Sequence, residues 1–267
     1  MTRLSKSSIR LKGDAMVKMK DMPKYHEATA EVDVSEFRKI IQNRRSVRSF
    51  DGTPVPEKVM HECLDWALLA PNSSNLQPWE FVWVRSADKK KQLADVCLGQ
   101  SAATTATEMV VCIARIDLWH QISKDILAHY EKLPVAVPKS ATDYYKKIVP
   151  YVYGQDFLGI LGLAKTIVSS IVGLNRPVPR EPFSRSALIT WATKTCALAC
   201  ENFMLGMTAH GFDTCAMEGF DSKRLKKLLG LNRGAIPVMV ISCGKRTDGG
   251  VYGPRLRMPR ERFVREI

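Results

Sequence analysis

Two short segments in the N-terminal third of the chain carry residue types suited to binding a phosphorylated, polar ligand. The first, residues 44–50, reads Arg-Arg-Ser-Val-Arg-Ser-Phe and places three guanidiniums and two hydroxyls within seven residues. Arginine binds phosphate oxygens bidentately, and hydroxyls hydrogen-bond to a sugar chain. The second, residues 70–81, is a run of small polar residues that ends at Pro78-Trp79. Each segment alone also has a simpler interpretation, a solvated arginine cluster at a helix end or a turn before a strand.

In this order, and separated by about one helix, the two segments resemble the start of the nitroreductase family, flavoproteins that hold FMN at a dimer interface. The resemblance implies that the first segment holds the FMN phosphate, ribityl chain and pyrimidine edge. It implies that the second contacts the isoalloxazine and ribityl groups, often in the flavin site of the other subunit. The matching positions are Arg44, Arg45, Ser46 and Arg48, then Pro71, Asn72 and Ser73, with Asn75 and Gln77 as polar neighbours.

Two later segments extend the resemblance. Residues 215–221 are similar to the family segment that lies along the flavin ring, where a glycine allows close backbone approach. Residues 254–259 resemble the family's terminal phosphate clamp, and alternate residues of an extended chain project to one face. A solvated basic tail is the alternative for this last segment. The matching positions are Ala216, Met217, Glu218 and Gly219 in the first and Arg255 and Arg257 in the second.

The resemblance covers residues 31–115 and 187–259 and implies an FMN-dependent enzyme that is a homodimer with NAD(P)H as transient electron donor. The leading hypothesis is ping-pong hydride transfer to an electron-poor acceptor such as a nitroaromatic compound, a quinone or an activated alkene. No catalytic side chain is expected, because FMN N5 carries the chemistry. Two alternatives stay open. One is a specialised FMN enzyme for reductive dehalogenation or an oxygen-dependent reaction, and the other is a flavin-binding protein of the membrane surface.

The elements that must position these segments alternate between helix and strand. Apolar periodicity predicts helices at 36–43 (with Ser35 as N-cap), 57–69, 89–98, 189–209 and 222–229, strands at 81–84, 109–114 and 236–243, and a strand or loop at 212–217. The helix at 189–209 is apolar on nearly all sides and is expected to be central or at a subunit interface. With too few parallel βαβ units for a doubly wound sheet, the chain is predicted to be α+β, a mixed sheet flanked by helices.

Residues 119–185 depart from the family pattern and are predicted to form an insert within an FMN-binding domain that spans 31–267. The stretch 157–174 contains Lys165 as its only charge. A membrane span needs about 20 apolar residues, so this shorter stretch with its central lysine favours another role. A cap over the active site is the preferred interpretation. A helix that touches lipid stays open, because Lys146, Lys147, Arg176 and Arg180 flank the stretch.

The composition of the chain limits which other partners, locations and metal sites are expected. The formal net charge is +13, from 40 Lys and Arg against 27 Asp and Glu, which favours anionic partners. No nucleic-acid module is recognisable, so no nucleic-acid partner is expected. Residues 1–30 are predicted to be a basic flexible arm without the apolar region of a secretory signal. Seven dispersed cysteines without a CxxC pair indicate reduced thiols, a cytoplasmic location and no metal site.

Overall fold

The computed structural model describes residues 27–156 and 159–267, which divide into two compact units. Leu118–Ala187, with the described residues before Glu31, form one of them, here called the helical unit. Glu31–Asp117 and Leu188–Ile267 form the other, here called the sheet unit. The bounds of the helical unit lie close to those of the predicted insert. The predicted basic arm lies outside the described residues except for residues 27–30.

A four-stranded sheet organises the sheet unit. Its strands are β1 (Trp79–Val84), β2 (Glu108–Arg115), β3 (Asp213–Met217) and β4 (Ala235–Gly244), in the order β1-β2-β4-β3. All three neighbouring pairs are antiparallel. Ser46 adds a parallel bridge to Thr214 at the β3 edge. Six successive residues of the central strand β2 are buried, which agrees with an element whose two faces are both covered.

The helices follow the apolar periodicity closely. They are α1 (Val34–Asn43), α2 (Glu57–Leu68), α3 (Ala87–Val96), α4 (Ser101–Thr104), α5 (Trp119–Glu131), α6 (Lys139–Asp143), α7 (Val149–Tyr153), α8 (Ile160–Val172), α9 (Arg185–Ala209) and α10 (Ser222–Leu229). Helix α9 buries side chains along its length, among them Trp191, Cys200 and Phe203, as predicted for a central helix. A π-helical turn at Tyr144–Ile148 joins α6 to α7.

Two details of the helices differ from the sequence prediction. The N-cap of α1 is Asp33 and not Ser35, because Asp33 Oδ1 accepts from the Ser35 and Glu36 N–H groups at 2.7 and 3.4 Å. Both residue types suit this position, and the chain uses the first one. The apolar periodicity of residues 57–69 also predicts that Leu68 belongs to the buried stripe of α2, but Leu68 is exposed at the end of that helix.

The core of the sheet unit lies between the sheet and helices α3 and α10. It is formed by side chains such as Val111, Ile113, Leu93 and Leu225. Burying each aliphatic side chain of this kind contributes about 1.5–3 kcal/mol, so this cluster fixes the sheet on which the candidate site is built. The helical unit contains α5 to α8. Within 27–156 and 159–267, the helices are all too short or too polar to cross a membrane.

Candidate functional site

The arginine segment is an extended strand-like stretch that backbone hydrogen bonds hold against the sheet. It begins where α1 ends, with the Arg44 N–H donating to Ile40 O at 3.1 Å. The Val47 N–H donates to Thr214 O at 3.0 Å, and the Val47 side chain is fully buried. The next N–H, of Arg48, donates to Gly250 O at 2.7 Å. Because side chains alternate in an extended chain, burial of Val47 leaves its neighbours facing outward.

The outward side chains line a cavity of about 250 Å³ together with the C-terminal segment 251–257. Six of the residues predicted from the sequence meet there, namely Arg44, Arg45, Ser46, Arg48, Arg255 and Arg257. Val251, Tyr252, Gly253, Pro254 and Leu256 complete the lining. Two segments some two hundred positions apart in the sequence therefore form one site.

The guanidiniums of this cavity are oriented by main-chain carbonyls. Arg45 Nη2 donates to Gly253 O at 2.6 Å, and Arg255 Nη2 donates to Gln42 O and Arg44 O at 2.7 and 2.6 Å. Arg257 Nη1 donates to the adjacent Leu256 O at 2.8 Å. A carbonyl satisfies an N–H without neutralising the cation, so the positive charges remain available to an anion.

The resulting repulsion is visible at Arg255. Desolvation, followed by the nearby charges of Arg257, Arg45 and Arg44, lowers the pKa of the Arg255 guanidinium below its ordinary value. The group stays protonated at neutral pH, because arginine starts from a very high pKa. Bringing a phosphate into this cavity would relieve the repulsion, since arginine forks bind phosphate oxygens in pairs.

Two contacts at this cavity were missed by the sequence analysis. Arg44 Nε lies 3.4 Å from Glu201 Oε1 on α9, and the Arg48 guanidinium lies 5.3 Å from the centre of the Tyr252 ring. Glu201 gave no signal, because it is one acid on a helix whose pattern is otherwise apolar. Tyr252 was detectable only as an aromatic residue beside the basic tail.

The C-terminal segment is anchored by an ion pair that was also not predicted. Arg246 donates to Asp213 Oδ2 through its main-chain N–H and its Nε at 3.1 and 2.9 Å, and its Nη2 also bonds to Oδ1. These hydrogen bonds raise the pKa of Arg246. Asp213 begins β3 and Arg246 follows β4, so the pair fixes the point from which the chain continues to the cavity.

The Asn/Ser segment forms a strained turn away from the arginine cavity. Ser74, Asn75 and Gln77 have φ values of 60°, 49° and 44°, in the left-handed region that side chains other than Asn and Asp rarely adopt. Asn72 Oδ1 stabilises the turn by accepting from the Gln77 N–H at 2.9 Å. Of the predicted residues here, Pro71, Asn72, Ser73 and Asn75, none lines the arginine cavity described above. Strain of this kind costs about 1–3 kcal/mol per residue and marks functional segments.

The segment predicted to lie along a flavin ring continues from the edge strand β3. Ala216 is exposed between buried neighbours, and Glu218 and Gly219 are exposed beyond the strand, whereas Met217 is buried. Gly219 O accepts from Gln100 Nε2 at 2.7 Å, which fixes this backbone. The segment contributes no residue to the lining of the arginine cavity.

The thiols show no sign of reactivity. Burial raises the pKa of Cys215, although nearby Arg48 acts in the opposite direction, so the side chain is a packed thiol as the sequence suggested. All seven cysteines are free and buried. Over the described parts of the chain, no group of three or more His, Cys, Asp or Glu side chains could hold a metal ion.

Comparisons with known proteins show which family this sequence resembles. The sequence profile of the nitroreductase family matches residues 41–245. A protein of Thermus thermophilus named NADH dehydrogenase is 28% identical over 88% of this chain and 98% of its own. The oxygen-insensitive NADPH nitroreductase of Helicobacter pylori (strain 26695) is 26% identical over 80% of this chain and 90% of its own.

Solved structures support the fold. Bacillus subtilis ydfN, assigned as a nitroreductase, superposes with a TM-score of 0.70 at 23% identity, over 88% of this chain and all of its own. An Exiguobacterium sibiricum protein with the same assignment, solved in complex with FMN, gives 0.63 at 24% identity over 90% of this chain and all of its own. At these identities the likeness shows the fold, and the α+β prediction is confirmed. Because the family profile covers most of the sequence, the chain belongs to the nitroreductase family.

Proposed function

We propose that this chain is an FMN-dependent oxidoreductase that uses NAD(P)H to reduce an electron-poor small molecule, a nitroaromatic compound, a quinone or an activated alkene. The observation that carries the proposal is the cavity lined by five arginines, of which only Arg44 pairs with a carboxylate among the described residues. An uncompensated cluster of this kind needs an anion, and the phosphate of FMN supplies one. Family membership, and the FMN complex of the Exiguobacterium sibiricum protein, support this choice of cofactor.

Different residues of the cavity lining are proposed to bind different parts of FMN. Arg45, Arg255 and Arg257 are proposed to hold the phosphate, because their guanidiniums are already oriented by carbonyls and keep their charge. Ser46 and Arg48 follow in the same extended segment and would take the ribityl chain and the pyrimidine edge. A guanidinium beside that edge would stabilise negative charge there.

When bound, FMN would supply the two-electron chemistry, accepting hydride from NAD(P)H and returning it to the acceptor in alternation. The protein residues need only bind and orient the reactants. The stretch Ala216–Gly219, in which every residue but Met217 is exposed and Gln100 holds the Gly219 carbonyl, would give a flat backbone surface along the ring system. No side chain of this stretch is required as an acid or base.

A homodimer would complete the site. Val34, Phe37 and Ile41 of α1 form an apolar face that is largely exposed in the single chain. The C-terminal segment exposes further apolar side chains, including Leu256 at the cavity and Phe263 beyond it. We propose that a second copy covers these surfaces and that Pro71, Asn72, Ser73 and Asn75 serve the site of the other subunit. The strained turn that these residues form supports a binding role.

The first test is an absorbance spectrum of the purified protein, followed by anaerobic addition of NADPH and, separately, of NADH. Flavin bands that bleach on addition are expected, and the faster reductant identifies the donor. Steady-state rates with a nitroaromatic acceptor should then give parallel lines in double-reciprocal plots. A protein that is colourless and cannot be reconstituted with FMN would contradict the proposal, and lines that intersect would contradict the alternating scheme.

The dimer is tested separately by measuring the molar mass of the protein with light scattering as it elutes from a size-exclusion column. Phe37→Asp should convert the dimer to a monomer, because a carboxylate cannot be buried unpaired in an apolar interface. The monomer should also lose FMN, since one subunit lacks the turn contributed by the other. Val135→Asp in the helical unit is the control, because it changes an equally exposed aliphatic residue outside the proposed interface. A Phe37→Asp dimer that keeps its FMN would refute this arrangement.

A further inference from the structure

Helix α8 of the helical unit presents its apolar side outward. Its exposed aliphatic residues recur at helical spacing and lie on one face, and they are Ile160, Leu163, Ile167, Ile171 and, just beyond the helix, Leu174. Exposed fractions range from 52% to 83% for these five side chains. A globular helix normally turns such a stripe toward the core. Leu161 and Val168 widen the face on one side.

The opposite, inward face of α8 carries a buried lysine and a buried serine. Lys165 is only 2% exposed and Ser169 only 7%. Lys165 Nζ donates to Gly154 O at 2.6 Å and lies 5.5 Å from the centre of the Tyr151 ring. Gly162 packs so closely on the backbone at Phe183 that a Cβ there would collide with the carbonyl oxygen. These contacts fix the rotation of the helix, so the outward apolar stripe is built into the fold.

Basic side chains adjoin the C-terminal end of this stripe. Arg176 follows Leu174 by two residues and is exposed. The Arg180 guanidinium reaches back to the end of α8, where a Cβ on Gly173 would collide with it. Neither arginine has a carboxylate partner among the described residues. Across residues 118–187 the chain has nine Lys and Arg against five Asp and Glu, so the surroundings of the stripe are net basic.

The geometry points to α8 as an element that docks the protein on the surface of a membrane containing anionic lipid. Aliphatic side chains on one face, with arginines at its end, are the pattern of a helix that lies in the plane of the lipid interface. The apolar face would enter the acyl boundary while Arg176 and Arg180 meet the lipid phosphates. Thirteen residues of helix span about 20 Å, too short to cross a hydrocarbon layer of about 30 Å.

Charge decides between lipid and a second copy as the occupant of this face. Two copies that met at this face would bring together its net basic surroundings, including Arg176 and Arg180 of each copy. The apolar surfaces proposed for the dimer belong to the sheet unit, whereas this helix belongs to the helical unit. An anionic bilayer would bury the aliphatic stripe in its acyl region and would pair the two arginines with lipid phosphates. This inference does not depend on the proposed redox activity.

The experiment uses the full-length protein with an environment-sensitive fluorophore (NBD) attached to Ile167→Cys. Because all seven native cysteines are buried, the introduced thiol is the accessible one. Vesicles of phosphatidylcholine alone are compared with vesicles that contain one third phosphatidylglycerol. Val135→Cys, equally exposed in the same unit, carries the label as a control. A blue shift and co-sedimentation are expected at position 167 with the anionic vesicles, and neither change is expected at position 135.

Two variants test whether vesicle binding depends on the apolar stripe of α8 and on the positive charge at its end. Ile167→Asp with Ile171→Asp should reduce vesicle partitioning more than about tenfold, because two aliphatic side chains are withdrawn from the acyl boundary. Arg176→Ala should reduce it about fivefold and weaken its salt dependence, whereas Lys132→Ala, a matched exposed cation, should change it less than twofold. An unchanged far-UV circular dichroism spectrum shows that the variants fold.

Three outcomes would overturn the inference. Label emission that is already blue-shifted without vesicles would mean that another part of the chain covers the helix. Emission that shifts with protein concentration, and a double aspartate variant that loses its dimer, would assign the face to a second copy. Equal binding of wild type and double variant to anionic vesicles would show that general basicity, and not α8, provides the attraction.

Discussion

The arginines of the sheet unit fall into two groups that differ in what their guanidiniums contact. Arg246 bonds to both carboxylate oxygens of Asp213, and Arg115 donates to both oxygens of Asp117 at 2.9 Å. In each pair the charges cancel, and the Arg246–Asp213 pair also joins two stretches of backbone that are 33 positions apart in the sequence. These arginines stabilise the fold and offer little to a ligand.

The second group lines the cavity. Arg45 and Arg255 are held by main-chain carbonyls, and Arg257 donates to its neighbour's carbonyl, so each guanidinium is oriented but not neutralised. The comparison teaches that the nature of the partner, more than the density of arginine in the sequence, distinguishes a binding site from a structural cluster. Substitutions in the first group should therefore change mainly stability, and substitutions in the second group should change mainly ligand affinity.

The largest effect is expected where a neutralised pair is broken. Asp213→Ala would leave Arg246 without its carboxylate and its main-chain N–H without an acceptor. Because Asp213 is largely buried, the free energy of unfolding should fall by about 3 kcal/mol. Urea denaturation followed by circular dichroism measures the loss. Asp248→Ala, an exposed acid close by, should change stability by less than about 0.5 kcal/mol. Equal stability of the two variants would show that the pair is not structural.

The second effect falls on ligand affinity and spares the fold. Arg255→Ala removes a charged donor from the cavity and should raise the Kd for FMN about ten- to hundredfold, from the loss of about 1.5–3 kcal/mol per charged hydrogen bond. Flavin fluorescence titration of the apoprotein measures it. Arg262→Ala removes an equally basic residue of the same tail outside the cavity lining and should leave the Kd unchanged. If both variants lost the same affinity, the tail would act only through its general charge.

The sequence predicted the helices, the strands and the arginines that line the cavity. It predicted less well which residues contact one another. The periodicity of residues 189–209 and the apolar run at 236–243 fixed α9 and β4, because burial on helical or strand geometry leaves a repeating mark. The assignment of Arg255 to the same site as Arg45 came from resemblance, and the structure places both in one cavity. The dimer and the redox partner remain predictions.

What the sequence missed depends on contacts between distant residues. The left-handed backbone at Ser74 and Gln77 is an exception, because the nearby Asn72 side chain stabilises this turn, and the sequence missed it because neither residue type favours that conformation. The ion pair between Arg44 and Glu201 joins the end of α1 to the middle of α9. Likewise, the inward lysine of α8 contradicts the usual rule that charges face solvent, and it depends on a hydrogen bond to Gly154 O and a contact with the Tyr151 ring.

A smaller effect is expected on the pH dependence of stability, and it comes from Asp117, the carboxylate that pairs with Arg115. Hydrogen bonds from Arg115, and then from Asn232, lower the pKa of Asp117 despite partial burial. A lowered pKa means that the folded state favours the carboxylate. This stability is therefore present above the unfolded pKa, near 4, and is lost as the pH falls through the folded pKa. Asp117→Asn should cost about 1 kcal/mol at pH 7, discounted for exposure, and much less at pH 3. A cost that does not change with pH would contradict the assignment.

The smallest effect tests the one arginine that belongs to both groups. Arg44 lines the cavity, yet Glu201 lies 3.4 Å from its Nε, in a pair whose carboxylate is nearly half exposed. If a neutralising partner withholds charge from the ligand, Glu201→Gln should keep the side-chain shape and strengthen FMN binding by up to about threefold, within the range of about 0.2–1 kcal/mol for exposed pairs. High salt should abolish the difference, because it screens both charges. Weaker FMN binding would mean that Glu201 orients Arg44, and that at this position a carboxylate partner builds the site.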